Sequence, residues 1–205
     1  MSQSTKTNGV NMPKTKLGLS KMNTLVEIAE ELFTNVGFYQ TSISDICKKA
    51  HTAVGTFYIY FESKMAIYRY LVEKHKADIK RELAQSIKDC TTRIQKEREG
   101  IKCFIRYALN KPTVYNVIWG SLSVDKQLFK DYYESFAYSY AKALNRDDKQ
   151  TYPYDTNTVA YMLMGITNFL GLYALFNEMT EANLDELMDK TVMPLLLQGL
   201  FLPTK

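Results

Sequence analysis

Residues 38–64 read FYQTSISDICKKAHTAVGTFYIYFESK, and two short helices with a tight turn between them can be read from this stretch. Ser42 and Asp45 stand three apart at the head of an apolar pattern. At that spacing a hydroxyl and a carboxylate cap a helix start reciprocally, which predicts a helix from about Ile43 to Ala50. His51, Thr52 and Ala53 make a short turn, and a second short helix runs from Val54 to Tyr60. Glu62, Ser63 and Lys64 then break and restart the chain. Ahead of this pair lies a longer helix, about Leu19 to Val36, in which Met22, Leu25, Val26, Ile28, Ala29, Leu32 and Phe33 recur at helical spacing. Gly37 stands where a left-handed helix terminator belongs. A longer helix followed by two short ones across a tight turn is a helix-turn-helix unit.

Outward from this unit the pattern stays helical. A long helix is expected from about Lys64 to Ile87, with Ile67, Leu71, Ile79, Leu83 and Ile87 on its inner side. Lys88 to Gly100 is highly charged and reads as a frayed helix end and loop. Helices follow at about 101–111, 113–121 and 125–145, then a loop from Asp147 to Asp155 that holds Pro153. Two more are expected at about 156–178 and 183–200, the last kinked by Pro194. The predicted fold is all-α with about nine helices. Residues 1–17 form a flexible basic tail, 18–64 the helix-turn-helix domain, and 65–205 a larger helical domain.

Composition agrees. Of 205 residues 46% are hydrophobic and 23% charged, enough apolar material for a core. Nine Gly and five Pro are too few for the many turns of an all-β chain. The net charge of +4 leans N-terminal, because residues 1–64 carry seven Lys against five acidic residues. Cys47, Cys90 and Cys103 are odd in number and form no Cys-x-x-Cys pair, which fits a reducing cytoplasm. The first 20 residues are polar, without the apolar stretch of a secretory signal. Val159 to Phe176 brushes the length of a membrane span, but it contains Thr167, Asn168 and two Tyr, and a buried helix is the expectation. No membrane partner is expected.

Phe38 to Ile46, Ala50, and Gly55 to Lys64 together resemble the DNA-binding domain of the tetracycline-repressor (TetR) family, over about Leu25 to Leu71. Beyond residue 71 only helical pattern and length agree. The resemblance implies a transcriptional repressor that binds a roughly palindromic double-stranded DNA operator as a homodimer. It also implies DNA contacts at Thr41, Ser42, Val54, Gly55, Thr56, Tyr58, Tyr60 and Lys64. Those residue types suit the task. Gly55 lacks a Cβ and permits close approach to the DNA backbone. Thr56 offers a hydroxyl and a methyl for a phosphate or a thymine methyl. Tyr58 and Tyr60 can reach phosphates, and Lys64 brings a charge to a helix start. Phe57, Phe61, Ile46 and Ala50 are expected in the core. Two features depart from the family pattern. The usual Gly-Val-Ser turn is His51-Thr52-Ala53 here, so His51 must take a backbone conformation easy for glycine, and Ala53 caps poorly. The second short helix also has no Arg, Asn or Gln for bidentate base contacts, which shifts readout toward apolar contacts, Thr56 and DNA shape.

The C-terminal part is rich in Tyr, Phe and Met. Most of these residues belong in a core, and the resemblance implies a pocket among the middle helices for a mostly apolar or amphipathic small-molecule effector, with Tyr107, Trp119, Tyr140, Tyr161 and Asn168 as candidates. The last two long helices are apolar over much of their surface. Val159, Met162, Leu163, Ile166, Leu170 and Leu172 are expected to pair with Leu187, Met188, Val192, Leu195 and Leu196 in a dimer interface of the family type. A catalytic reading finds little: His51 and His75 are the only histidines, neither has a metal-spaced partner, and there is no Gly-x-Ser-x-Gly, phosphate loop or His-Glu-x-x-His. No enzyme activity, cofactor or metal is expected. The alternatives are a constitutive DNA-binding protein controlled by a protein partner, and, behind it, a helical enzyme.

Overall fold

The computed structural model describes residues 9–146 and 154–199. The first eight residues of the expected tail, with Lys6, and most of the expected loop around Pro153 lie outside the described residues. The helices are α1 (Lys16–Asn35), α2 (Ile43–Lys49), α3 (Val54–Tyr60), α4 (Lys64–Ser86), α5 (Arg93–Asn110), α6 (Thr113–Val124), α7 (Lys126–Arg146), α8 (Thr156–Phe176), α9 (Glu181–Leu187) and α10 (Met193–Gln198). The chain divides into two compact units, Met1–Ala77 with Thr113–Tyr133, and Asp78–Pro112 with Glu134–Lys205.

In the first unit, α1 begins where the Thr15 side chain accepts from the backbone N–H of Gly18. It ends at Gly37, whose φ of 98° only glycine adopts without strain. Met22, Leu25, Val26, Ala29 and Phe33 of α1 are buried, as are Ile46, Cys47, Phe57, Phe61, Ile67 and Leu71. Helix α6 also packs on α1, burying Val114, Val117 and Ile118. Polar ties reinforce this packing. The buried Tyr68 hydroxyl donates to the Val117 carbonyl at 2.7 Å. Glu30 accepts from Thr113 at 2.5 Å and lies 3.1 Å from Nε2 of the buried His75. The unit therefore reaches past the boundary expected after residue 64, because α4 and α6 supply apolar surface that α1 to α3 alone lack. Residues 9–17 also differ from the free tail expected there: α1 starts at Lys16, and Val10 forms an isolated antiparallel bridge with Phe61.

In the second unit, α5 packs along α8. Ile101, Ile105, Ala174, Leu184, Met188, Val192 and Met193 make its main apolar cluster, with Leu170, Leu187 and Leu196 against it. Four sequence expectations change here. Lys88 to Gly100 is mostly helix, because Thr92 and Gln95 form a capping box that starts α5 at Arg93. The charges are one edge of that helix. Arg98 pairs with Asp185 and Asp189, Lys102 with Asp185, and Arg106 with Glu181. The expected last helix comes as α9, a π-helical turn over Met188–Val192, and α10. Pro194 lies inside a continuous helical run just after the π-helical turn, and the wider turn stands directly before the residue that lacks an N–H. Finally, α8 is long and apolar enough to cross a membrane by length and composition, yet little of it is buried as expected. Only Ala160, Gly171 and Ala174 are buried, whereas Met162, Phe169, Tyr173 and Phe176 form an exposed stripe at helical spacing. Met188 and Val192, expected between subunits, are buried within this chain instead.

The α5–α9 ion pairs carry a pH dependence. Hydrogen bonds from Lys102 and Arg98 hold the Asp185 carboxyl below its ordinary range, and Arg106 does the same for Glu181. Depressed carboxylate values stabilise the fold above the unfolded-state value of about 4 and lose that contribution as pH falls through the folded-state value. Urea unfolding should thus show a midpoint that drops on acidification, and Asp185→Asn should flatten the drop. An unaltered pH profile in Asp185→Asn would remove this pair from the account.

Candidate nucleic-acid interface

Helix α2 starts at Ser42. Its hydroxyl donates to Asp45 at 2.6 Å and accepts from the Asp45 N–H at 3.1 Å, and Asp45 accepts from the Ser42 N–H at 2.9 Å. The Ser42 side chain and backbone hold the exposed Asp45 carboxyl below its ordinary range. The turn follows from His51, which adopts φ 50° as the departure from glycine requires. His51 N–H donates to Lys48 O at 3.2 Å and Thr52 N–H to Cys47 O at 3.0 Å, a Schellman closure of α2. Ala53 then begins α3 with no side-chain cap, as its chemistry predicts.

Helix α3 has two faces. Phe57 and Tyr60 point into the unit, and Val54, Gly55, Tyr58 and Ile59 face solvent, with Thr56 half-buried at the edge. A Cβ built on Gly55 would meet nothing within 4 Å, so the flat spot is open toward solvent. Tyr58 and Ile59 are 54% and 56% exposed, which leaves a short apolar strip around that flat spot. Ile59 was not among the expected contacts. Its position four residues after Gly55 carries the signal, one helical turn along the same face.

Three expected contact residues sit elsewhere. Thr41 is 1% exposed, and its hydroxyl donates to Gly37 O at 2.8 Å. Tyr60 is 6% exposed, because positions 57, 60 and 61 share the inner face. Lys64 turns its ammonium into the α1–α2 connection, donating to Phe38 O at 2.6 Å and Thr41 O at 2.7 Å, 4.4 Å from the Phe38 ring centroid. Burial pushes its pKa down. Its free donor capacity for a phosphate is small, and its geometry is that of a brace. Accordingly, Lys64→Ala should lower the unfolding free energy by about 2–3 kcal/mol, the cost of hydrogen bonds to a charged group. Urea denaturation measures this; a variant as stable as wild type would deny the brace. Exposed lysines nearby in sequence include Lys14, Lys16, Lys21, Lys48 and Lys49, the last paired with Glu31.

Residues 25–71 match the bacterial regulatory proteins of the tetR family. An uncharacterized HTH-type transcriptional regulator of Bacillus subtilis (strain 168), YvdT, is 45% identical over 62 residues, 30% of this chain. Over residues 25–71 the chain carries the DNA-binding domain of the TetR family. The YvdT match spans only 31% of that relative's length, so it speaks for the helix-turn-helix end. Solved structures extend the likeness in fold. The fatty acid degradation regulator FadR of Bacillus halodurans superposes with a TM-score of 0.76 at 19% identity, covering 92% of this chain and 98% of that one. FadR from Bacillus subtilis, solved in complex with stearoyl-CoA, superposes with a TM-score of 0.71 at 20% identity, covering 88% of this chain and 100% of that one. TetR-type proteins are DNA-binding regulators of transcription and not enzymes.

The five candidate effector residues fall in both units. Trp119 belongs to the first unit, where its Nε1 donates to the Tyr133 hydroxyl at 2.9 Å and its ring meets Tyr115 edge-on. The other four belong to the second unit. Tyr107 is buried in α5, with Lys111 Nζ 4.8 Å from its ring centroid. Tyr140 donates to Glu97, whose carboxylate also pairs with Arg93, and burial pushes the Tyr140 phenol up to about 12. Asn168 donates to Met164 O of its own helix at 2.8 Å, and Tyr161 is exposed on α8. An open groove in the second unit is lined by Asn177, Met179, Asn183, Glu186 and Leu187, none of them a candidate.

Proposed function

We propose that this chain is a homodimeric repressor that reads a roughly palindromic operator with α3 and is released by an amphipathic small molecule of the fatty-acyl class. The single observation that carries the DNA-reading part is the outer face of α3, bare at Gly55 and flanked by Val54, Thr56, Tyr58 and Ile59. With no Arg, Asn or Gln on that helix, base discrimination falls to van der Waals contact with thymine methyls, the Thr56 hydroxyl and duplex shape. Ser42 contributes from the start of α2. The dimer reading is supported by the stripe of Met162, Phe169, Tyr173 and Phe176, apolar side chains that a single chain leaves in water. A reducing cytoplasmic setting suits its three free thiols.

The effector class rests on two supports. One is likeness in fold to the FadR proteins, one of them holding stearoyl-CoA. The other is the aromatic and Met content of the second unit, where Tyr107 and Tyr140 offer apolar walls with polar tips. Ligand would favour a dimer geometry whose two α3 helices no longer match successive major grooves, and DNA must then weaken the ligand by the same factor. Titration of long-chain acyl-CoA against protein bound to duplex selected by the protein itself should release the DNA, with a coupling of about 5–150-fold. Calorimetric binding of the acyl-CoA that leaves DNA affinity unchanged would favour a constitutive DNA-binding protein controlled by a protein partner.

A further inference from the structure

Helix α3 is seven residues long, too short to hold its shape alone. Its first turn is weakly secured, since Ala53 offers no cap and His51 behind it occupies a left-handed conformation. Its last turn is held from outside, by chain that precedes α1. Asn11 N–H donates to Tyr60 O at 2.8 Å, and Glu62 N–H donates to Gly9 O at 2.9 Å, the two bonds of the bridge between Val10 and Phe61. The Asn11 side-chain amide donates to Ile59 O at 3.0 Å. Val10 is buried beside this bridge. The carbonyls of Ile59 and Tyr60 are among those that a helix end leaves without an intrahelical partner. Asn11 meets both of them, one with its side chain and one with its backbone.

We propose that Gly9–Asn11 is a strap that clamps the recognition helix at its C-terminal end, and that Asn11 is a positioning residue for DNA reading. The proposal rests on the DNA-reading role given above to α3. Ile59 faces solvent beside Tyr58 while its carbonyl is tied to Asn11, so the strap sets the angle at which the outer face of α3 is presented. Without the clamp, a larger share of molecules has α3 frayed, and apparent DNA affinity falls by the fraction that remains competent. Asn11 itself supplies no charge to the duplex. Its loss should therefore leave the salt dependence of binding intact, unlike loss of a phosphate contact.

The test compares full-length wild type, Asn11→Ala and Asn11→Asp on a duplex selected by wild-type protein from a random library, and on a scrambled duplex. Asp matches Asn in size but cannot donate to Ile59 O at neutral pH. Both variants should bind the selected duplex about tenfold more weakly, the scale of one hydrogen bond lost in each of two subunits. In Asn11→Ala, which changes no charge, the scrambled duplex should lose less and the slope of log affinity against log salt should stay at the wild-type value. Hydrogen exchange at the α3 amides, measured without DNA, should quicken in both variants. Wild-type affinity in both variants, or in Asn11→Ala a uniform loss on both duplexes with a shallower salt slope, would overturn the proposal. If wild type selects no duplex, the DNA-reading role fails, and the clamp still stands or falls on the α3 exchange rates.

Discussion

Gly55→Val should abolish specific DNA binding while leaving the protein folded. The Cβ and its branches would project into open space in the free protein, so nothing in the chain opposes the substitution. Valine is no worse than glycine within an exposed helix, which keeps the expected change in stability within about 0.5 kcal/mol. On the DNA side the same atoms stand where the duplex must approach. The proposed docking therefore predicts an affinity loss of a hundredfold or more, about 3 kcal/mol, comparable to the loss of a good base contact or a mismatched base pair. Gel-shift titration with circular dichroism on the same preparation measures both halves. Tight binding by folded Gly55→Val protein would mean that another face meets the duplex.

The second large effect is expected at Phe169, which is 67% exposed on α8 although the helix carries no charged residue. Phe169→Glu should convert a dimer to a monomer in sedimentation at micromolar concentration. Each interface would bury two new carboxylates across a two-fold axis, and a disruption on the scale of central interface residues, about 2–4 kcal/mol or more, is enough to dissociate it. The helical content of the chain should be unaffected, since Phe169 is not needed for the apolar cluster formed by Ile101, Ala174 and Met188. Operator affinity should collapse with the dimer, because one reading head sees only half a palindrome. A wild-type monomer under the same conditions would refute this interface. Leu170, one position along, is a poorer probe because it packs inside the chain.

Much of the DNA-reading unit is legible in the sequence because its determinants are local. The Ser42–Asp45 capping box, the bare turn of α3 and the stop at Gly37 each depend on residues within one helical turn of each other. The left-handed His51 follows from its place in the turn alone. What is not legible depends on partners far along the chain. The burial of α1 under α6 and the strap over α3 join residues some 50 to 90 positions apart, and no periodicity announces them. Lys64 shows the same limit, since a lysine at a helix start serves a phosphate or nearby carbonyls equally well until the Phe38–Thr41 connection is placed beside it. The start of α5 was legible in Thr92 and Gln95, but the run of charges around them hid it. Tyr60 is a plainer case: its spacing from Phe57 already put it on the inner face.

The central claim is that the outer face of α3 reads DNA in two copies. A protection footprint of the wild-type protein on genomic DNA around its own gene tests it most directly. The account predicts one protected stretch whose two halves are related by approximate two-fold symmetry, with centres about one helical turn, 10 base pairs, or a multiple of it apart. A fragment set on which the protein protects nothing at physiological salt, or protects only stretches without such symmetry, would contradict it.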